Sequence, residues 1–209
     1  TVEVSLEEMA IFGAAVKRGA PNKFVIVDMP SGSYSTFNKA IENATKIYQQ
    51  TKAEALKLEG AFPHQLEIIN RLTQSGIPVM GHLGLTPQSI YKFGTYVVRA
   101  REEEEANKLI EDAKALEEAG CFSIVLEKIP AKLAQKVAES VQIPIIGIGA
   151  GSGVDGQVLV LHDMLGINKE FSPRFLRRYN DLYTSIKDSV ENYISDVKSV
   201  DFPNEKEQY

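Results

Sequence analysis

The sequence predicts an α/β fold of parallel strands joined by crossover helices. Three observations predict it. Six short apolar runs recur along the 209 residues. Most are apolar on both faces, as strands buried between two layers are. Amphipathic helical stretches separate them, and strand–helix–strand alternation implies right-handed crossovers.

The elements follow in order. Ser5 can cap a first helix, SLEEMAIFGAAVKR, with Glu8 at the capping-box position and Gly19 as a stop. The first strand is 24–29 (FVIVDM), followed by a helix over 39–50. The second strand is Ala55–Glu59 (ALKLE), with a helix over 65–74. The third is 77–82 (IPVMGH). A helix over 102–118 leads to Gly120, a second plausible C-cap, and to the fourth strand, Ser123–Glu127 (SIVLE). A helix over 131–139 precedes the fifth strand, 143–148 (IPIIGI). The sixth, 158–162 (VLVLH), has neighbours that suit a helix equally. Residues 173–197 read as one long helical region, and DFPNEKEQY as a polar tail. The block Arg101–Glu105 (REEEE) suits a solvated helix start, where carboxylates meet the positive end of the dipole.

This length suits one domain with its own core. The net charge of −5 argues against nucleic acid or an anionic membrane as partner. No apolar run reaches the roughly 18 residues of a membrane span. TVEVSLEEMA does not read as a signal peptide. The one cysteine, Cys121, excludes an intrachain disulfide and a Cys-rich zinc site, so a reducing, cytoplasmic setting is expected. Two architectures remain open at this point: a doubly wound open sheet and a closed barrel. A closed (β/α)8 barrel takes about 250 residues. It would need about two strands upstream of Thr1.

In both architectures the chemistry sits at the C-terminal ends of the strands. Those ends carry Asp28, then Lys57 with Glu59, then His82, then Glu127. Charged groups ending apolar strands are costly unless paired or metal-bound, and here they recur on four successive strands. Asp28 and Glu59 are hard oxygen donors of the kind magnesium prefers. Asp28 could instead cap the turn before Pro30, and Glu59 could simply pair with Lys57. Lys57 and Glu59 share a face, being two apart on one strand. The lysine could neutralise a substrate carboxylate or a metal-binding acid; a Schiff-base role is the lesser option. His82 could donate to a substrate or be a core histidine satisfied by backbone. Glu127 could act as a base at a barrel mouth, or pair with Lys128 or another rim lysine. Gly151–Gly156 fits GxGxxG, but it comes late, precedes no clear helix and lacks the downstream acid, so dinucleotide binding is not expected. Its glycines are expected to let backbone approach a ligand.

These residues stand in segments that resemble one family, the ketopantoate hydroxymethyltransferases. The segments are VDMP with GSY at 27–34, ALKLEG at 55–60, IPVMGHLGLTPQ at 77–88, VLE with IPA at 125–131, GIGAG at 147–151, DGQVLV at 155–160, and Phe175 with Arg177-Arg178-Tyr179. The resemblance covers nearly the whole chain. It implies a (β/α)8 barrel of the phosphoenolpyruvate/pyruvate type, with about two N-terminal strands absent from this sequence. It implies one barrel domain over 1–209 with a C-terminal helical region over 172–199, assembled as a homodecamer. It implies transfer of a one-carbon unit from 5,10-methylenetetrahydrofolate to 2-oxoisovalerate with Mg2+, giving ketopantoate for pantothenate synthesis. By the same resemblance Asp28 and Glu59 match metal-site acids, Asp28, Lys57 and His82 match substrate contacts, and Glu127 matches the general base. The family's upstream Gly-Asp-Ser segment, a second metal ligand and a substrate contact, is not in this sequence. Ser31 and the segment 94–98 (GTYVV) also depart from the family pattern. A folate-independent magnesium enolate enzyme and an inactive assembly subunit are the rival readings.

Overall fold

The computed structural model describes Val2 to Tyr209. Its contacts fall into two compact units, one running to Val158 and the other Leu159–Tyr209.

The first unit opens with α1 (Leu6–Gly19). Ser5 caps it, with the Glu8 side chain returning to the Ser5 backbone in a full capping box. Gly19 is the last helical residue, and the cap falls on Ala20. There follow β1 (Ile26–Asp28), α2 (Phe37–Thr51), β2 (Ala55–Glu59), α3 (Pro63–Gln74), β3 (Val79–Gly84), the short α4 (Ile90–Phe93), α5 (Glu103–Glu118), β4 (Ser123–Glu127), α6 (Ala131–Ser140), β5 (Ile145–Ile148) and β6 (Gly156–Gln157). The acidic block starts α5 as expected, except that Glu105 turns back to pair with Arg99 and to accept from Ala100 N.

All six strands are parallel, in the order β1-β2-β3-β4-β5-β6. That order decides between the two candidate architectures. A doubly wound sheet reverses direction at a switch point, whereas a barrel adds each strand beside the last. The unit is therefore a run of consecutive (β/α) barrel strands.

Side chains alternate between two faces along each strand. Val27, Leu56, Leu58, Val79, Ile124, Leu126 and Ile145 face the helices and are buried. Gly81 does the same, with no room for a Cβ against Leu116 of α5. Each fully buried leucine or isoleucine there contributes about 1.5–3 kcal/mol. Residues of opposite parity, including Asp28, Lys57, Glu59, His82 and Glu127, point to the other face.

Two expectations need correction. The sixth strand is Gly156–Gln157, paired with Ile146 and Gly147, not 158–162. Within that run, Val158 and Val160 are exposed and irregular, and Leu161–Met164 forms a helical turn, α7, in the second unit. The apolar run carried no period that separates strand from helix. The long C-terminal helix also starts later, at Leu182, and runs to Ser199 as α8. Asp181 caps it by accepting from Thr184 N at 3.2 Å. Upstream of that cap the Arg178 guanidinium donates to the carbonyls of Asn168, Lys169 and Phe171, which holds the chain in an irregular path.

No helix among the described residues is long and apolar enough to cross a membrane.

Candidate active site

The parallel register places the charged strand ends side by side. Asp28 pairs with Lys57, Glu59 with His82, and Gly84 with Glu127. From there the side chains build a continuous chain of contacts. Lys57 Nζ lies 2.6 Å from Asp28 Oδ1. The same ammonium lies 3.2 Å from His82 Nδ1. Glu59 Oε1 lies 3.6 Å from that nitrogen, and Glu127 Oε2 lies 3.3 Å from His82 Nε2. All five residues singled out in the sequence thus form one cluster. His64 is exposed and lies outside it, and His162 is exposed in the second unit.

His82 is the hub and is only 3% exposed. An ammonium can donate but not accept, so Lys57 makes Nδ1 an acceptor. A neutral ring then carries its proton on Nε2, on the Glu127 side. Nε2 is buried and makes no hydrogen bond, although Glu127 Oε2 lies 3.3 Å away. Asp28 Oδ1 is in the same position: it is close to Lys57 but has no aligned donor. The Asp28–Lys57 contact is a Coulombic pair rather than a formed hydrogen bond.

Glu59 is 6% exposed and fully surrounded. Its Oε2 accepts from the backbone N–H of Gln88 at 3.0 Å. Gln88 lies in the 3-10 turn Pro87–Ser89 after β3. The Tyr34 phenol lies near the Asp28 and Glu59 carboxylates. Burial, then the Glu59 carboxylate, and less strongly Asp28, push its pKa up. Sequence reasoning did not pick out Tyr34 or Gln88 as site residues. The available signals were the resemblance segments that contain them, GSY for Tyr34 and GHLGLTPQ for Gln88.

Glu127 closes β4, and its position depends on its neighbours. Lys128 has φ +52°, a left-handed conformation costly for a residue with a Cβ. It turns the chain away at once, and Lys128 Nζ reaches the Tyr96 carbonyl rather than Glu127. The salt bridge between Glu127 and Lys128 weighed from sequence is not formed.

The glycine loop after β5 does not present itself as a ligand cradle. A Cβ on Gly151 would meet Ala131, and one on Gly153 would meet Gln135, both on α6. These glycines allow close packing on a helix, which corrects the expectation of ligand approach. The segment leads into β6 and not into a helix, so the dinucleotide geometry is missing.

Among the described residues, no three His, Cys, Asp or Glu side chains gather into a ready-made metal cage. Magnesium does not need one. It commonly binds through one or two carboxylates and fills its remaining positions with water and substrate oxygens. The unaligned, buried Oδ1 of Asp28 and the all-oxygen pair Asp28 and Glu59 fit that ion and not zinc.

A family model described as ketopantoate hydroxymethyltransferase matches residues 1–205. The chain belongs to the ketopantoate hydroxymethyltransferase family. Relatives agree. The 3-methyl-2-oxobutanoate hydroxymethyltransferase of Flavobacterium johnsoniae is 58% identical over 100% of this chain and 77% of its own. That of Parabacteroides distasonis is 59% identical over the same shares. Among solved structures, a Burkholderia cenocepacia protein provisionally assigned as a lyase or mutase superposes with a TM-score of 0.57 at 15% identity, covering 74% of this chain and 61% of its own. Oxaloacetate acetylhydrolase superposes with a TM-score of 0.53 at 13% identity, over 75% of this chain and 60% of its own. These two share the fold. The ketopantoate hydroxymethyltransferase segments named from the sequence therefore sit in a barrel of this type, and the chain is an enzyme of the hydroxymethyltransferase class.

Proposed function

We propose that the five-residue cluster is the working centre of a magnesium-dependent 3-methyl-2-oxobutanoate hydroxymethyltransferase that draws its one-carbon unit from 5,10-methylenetetrahydrofolate. The observation that carries this reading is the unbroken line of contacts from Asp28 through Lys57 and His82 to Glu127, with Glu59 against His82.

Asp28 and Glu59 would hold the magnesium. Bound there, it supplies a Lewis acid for the 2-oxo group of the substrate. Lys57, already drawn against Asp28, presents a cation to the substrate carboxylate. Glu127 removes the proton from C3, the carbon beside the keto group. The electron pair left on C3 forms a carbon–carbon bond to the one-carbon unit. Both bonds from that unit to the carrier nitrogens break as water supplies the hydroxyl, and the two nitrogens take up the C3 proton and one proton of that water. His82 holds its Nε2 side toward Glu127 while Lys57 fixes its Nδ1 side.

A cavity of about 480 Å³ adjoins the rim at Gly84 and Thr86. None of the five cluster residues lines it. Its walls include Phe62, Phe93, Lys92 and Arg99. Lys92 Nζ sits 4.8 Å from the Phe62 ring centre, and the Arg99 guanidinium 4.2 Å from that of Phe93. Aromatic faces beside cations suit a carrier with flat rings and a carboxylate tail. A homo-oligomer, the decamer implied by the resemblance, would cover apolar residues such as Ile186, Val190 and Tyr193 on α8. The cytoplasm suits the free, buried Cys121.

The test is C3 proton exchange in deuterated water, followed by NMR on the full chain with magnesium and 3-methyl-2-oxobutanoate. Glu127→Gln is expected to slow exchange about 10²-fold or more. Near-normal exchange would remove Glu127 as the base. Ketopantoate formation that requires the folate separates this reading from a folate-independent magnesium enolate enzyme.

A further inference from the structure

We propose that Gln88 is a positioning residue that fixes the two metal-side acids, Asp28 and Glu59, relative to each other by bonding to both strand ends at once. The inference rests on the magnesium reading above and goes beyond it to a residue that touches neither metal nor substrate.

The geometry is a three-way strut. The backbone N–H of Gln88 donates to Glu59 Oε2 at 3.0 Å, at the end of β2. Its side-chain Nε2 donates to the Met29 carbonyl at 2.9 Å, directly after Asp28 at the end of β1. Its Oε1 accepts from the Tyr34 hydroxyl at 2.7 Å, in the loop that follows β1. The amide is therefore used at both ends and has one orientation. Turned over, it would set its oxygen against the Met29 carbonyl, and two acceptors cannot bond. Met29 is fully buried, and Tyr34 is buried too. Water cannot easily replace the lost bonds there, so leaving these groups unpaired is costly.

The turn carrying Gln88 is stiff. Pro87 fixes φ at its first position, and Ser89 N donates to the Thr86 carbonyl at 2.8 Å. A residue of the β3 loop thus braces β1 against β2. A cation held by Asp28 and Glu59 would depend on where the two strand ends place them, and outer-shell bonds of this kind change metal affinity about 10- to 100-fold.

The experiment measures Mg2+ binding calorimetrically in the full chain, for wild type, Gln88→Met, Tyr34→Phe and the double variant. Thermal unfolding is recorded alongside. Gln88→Met keeps the volume and removes both side-chain bonds. It is expected to raise the Mg2+ Kd about 10- to 100-fold, read at a temperature where both proteins are folded, and to lower the unfolding midpoint as well, because the Met29 carbonyl and Tyr34 hydroxyl lose their partner. Tyr34→Phe is expected to weaken binding less. The double variant should be no weaker than Gln88→Met, because Tyr34 acts through the same amide. In the metal-free protein, amide hydrogen exchange over residues 86–90 should be faster in Gln88→Met. Wild-type Mg2+ affinity in Gln88→Met overturns the proposal, as does full additivity in the double variant. If Gln88→Met does not fold, Tyr34→Phe decides alone, and unchanged affinity overturns it. Absence of Mg2+ binding by the wild type sinks the metal reading itself, and this inference with it.

Discussion

Gly84 lies two residues beyond His82, with φ +88°. A Cβ there would come within 2.3 Å of the Glu127 carbonyl oxygen and 2.8 Å of Ile129. That carbonyl also accepts from Leu85 N at 2.8 Å. The position of Glu127 is therefore set by a missing side chain on the neighbouring strand. Gly84→Ala combines a left-handed conformation with a backbone clash. We expect it to cost about 2–4 kcal/mol in urea unfolding and to lower kcat by displacing Glu127. Unchanged stability and kcat would refute this account. The five rim residues were legible in the sequence because each ends an apolar strand, where a charge needs a reason. The Gln88 partners were not. They lie 54 and 59 positions away, and a glutamine in a turn has no local mark of such reach. Gly84 lay inside a recognised segment, but its steric role needed coordinates.

The capping box of α1 belongs to the scale of elements. Serine followed three residues later by glutamate before an apolar run was enough to read it from the chain. Ser5→Ala should lower Tm by about 2–4 °C, measured by calorimetry. The Glu8 carboxyl is held below its ordinary 4.5 by the Ser5 backbone N–H first and the Ser5 hydroxyl second. A depressed carboxyl supports the fold above its ordinary value and loses that support as pH falls through the folded value. Glu8→Gln should therefore show a smaller stability loss on acidification below pH 4.5 than wild type. The sequence-derived bounds held for β2 and β4, where apolar runs are flanked by clear turn residues. They failed at the sixth strand, whose apolar run suits helix or strand alike. They also failed before α8, where helical propensity continued upstream of a better cap at Asp181.

Stability of the molecule as a whole should fall at alkaline pH. Burial pushes the Cys121 thiol from its ordinary 9.0 up to about 12. It also pushes the Tyr34 phenol above its ordinary range. Both groups are neutral in the fold, so their contribution is complete below their ordinary values. It is lost as pH rises, because the unfolded chain releases protons that the folded chain keeps. For Cys121 the window runs from about pH 9 to about pH 12, with a slope of about 1.4 kcal/mol per pH unit. Cys121→Ala should flatten that part of the profile in urea unfolding. An unchanged slope would refute the assignment.

The amino-acid order by itself determined the strand and helix alternation, the charged strand ends and the family. These depend on local periodicity and on residue types at fixed spacing, which a chain displays without folding. Only the tertiary structure decided that the strands run in unbroken sequential order, that Asp28, Lys57, His82 and Glu127 touch in succession, and that Gln88 bonds both the Glu59 carboxylate and the Met29 carbonyl. Such contacts join residues tens of positions apart. They arise from strand register and side-chain packing, which sequence spacing does not encode.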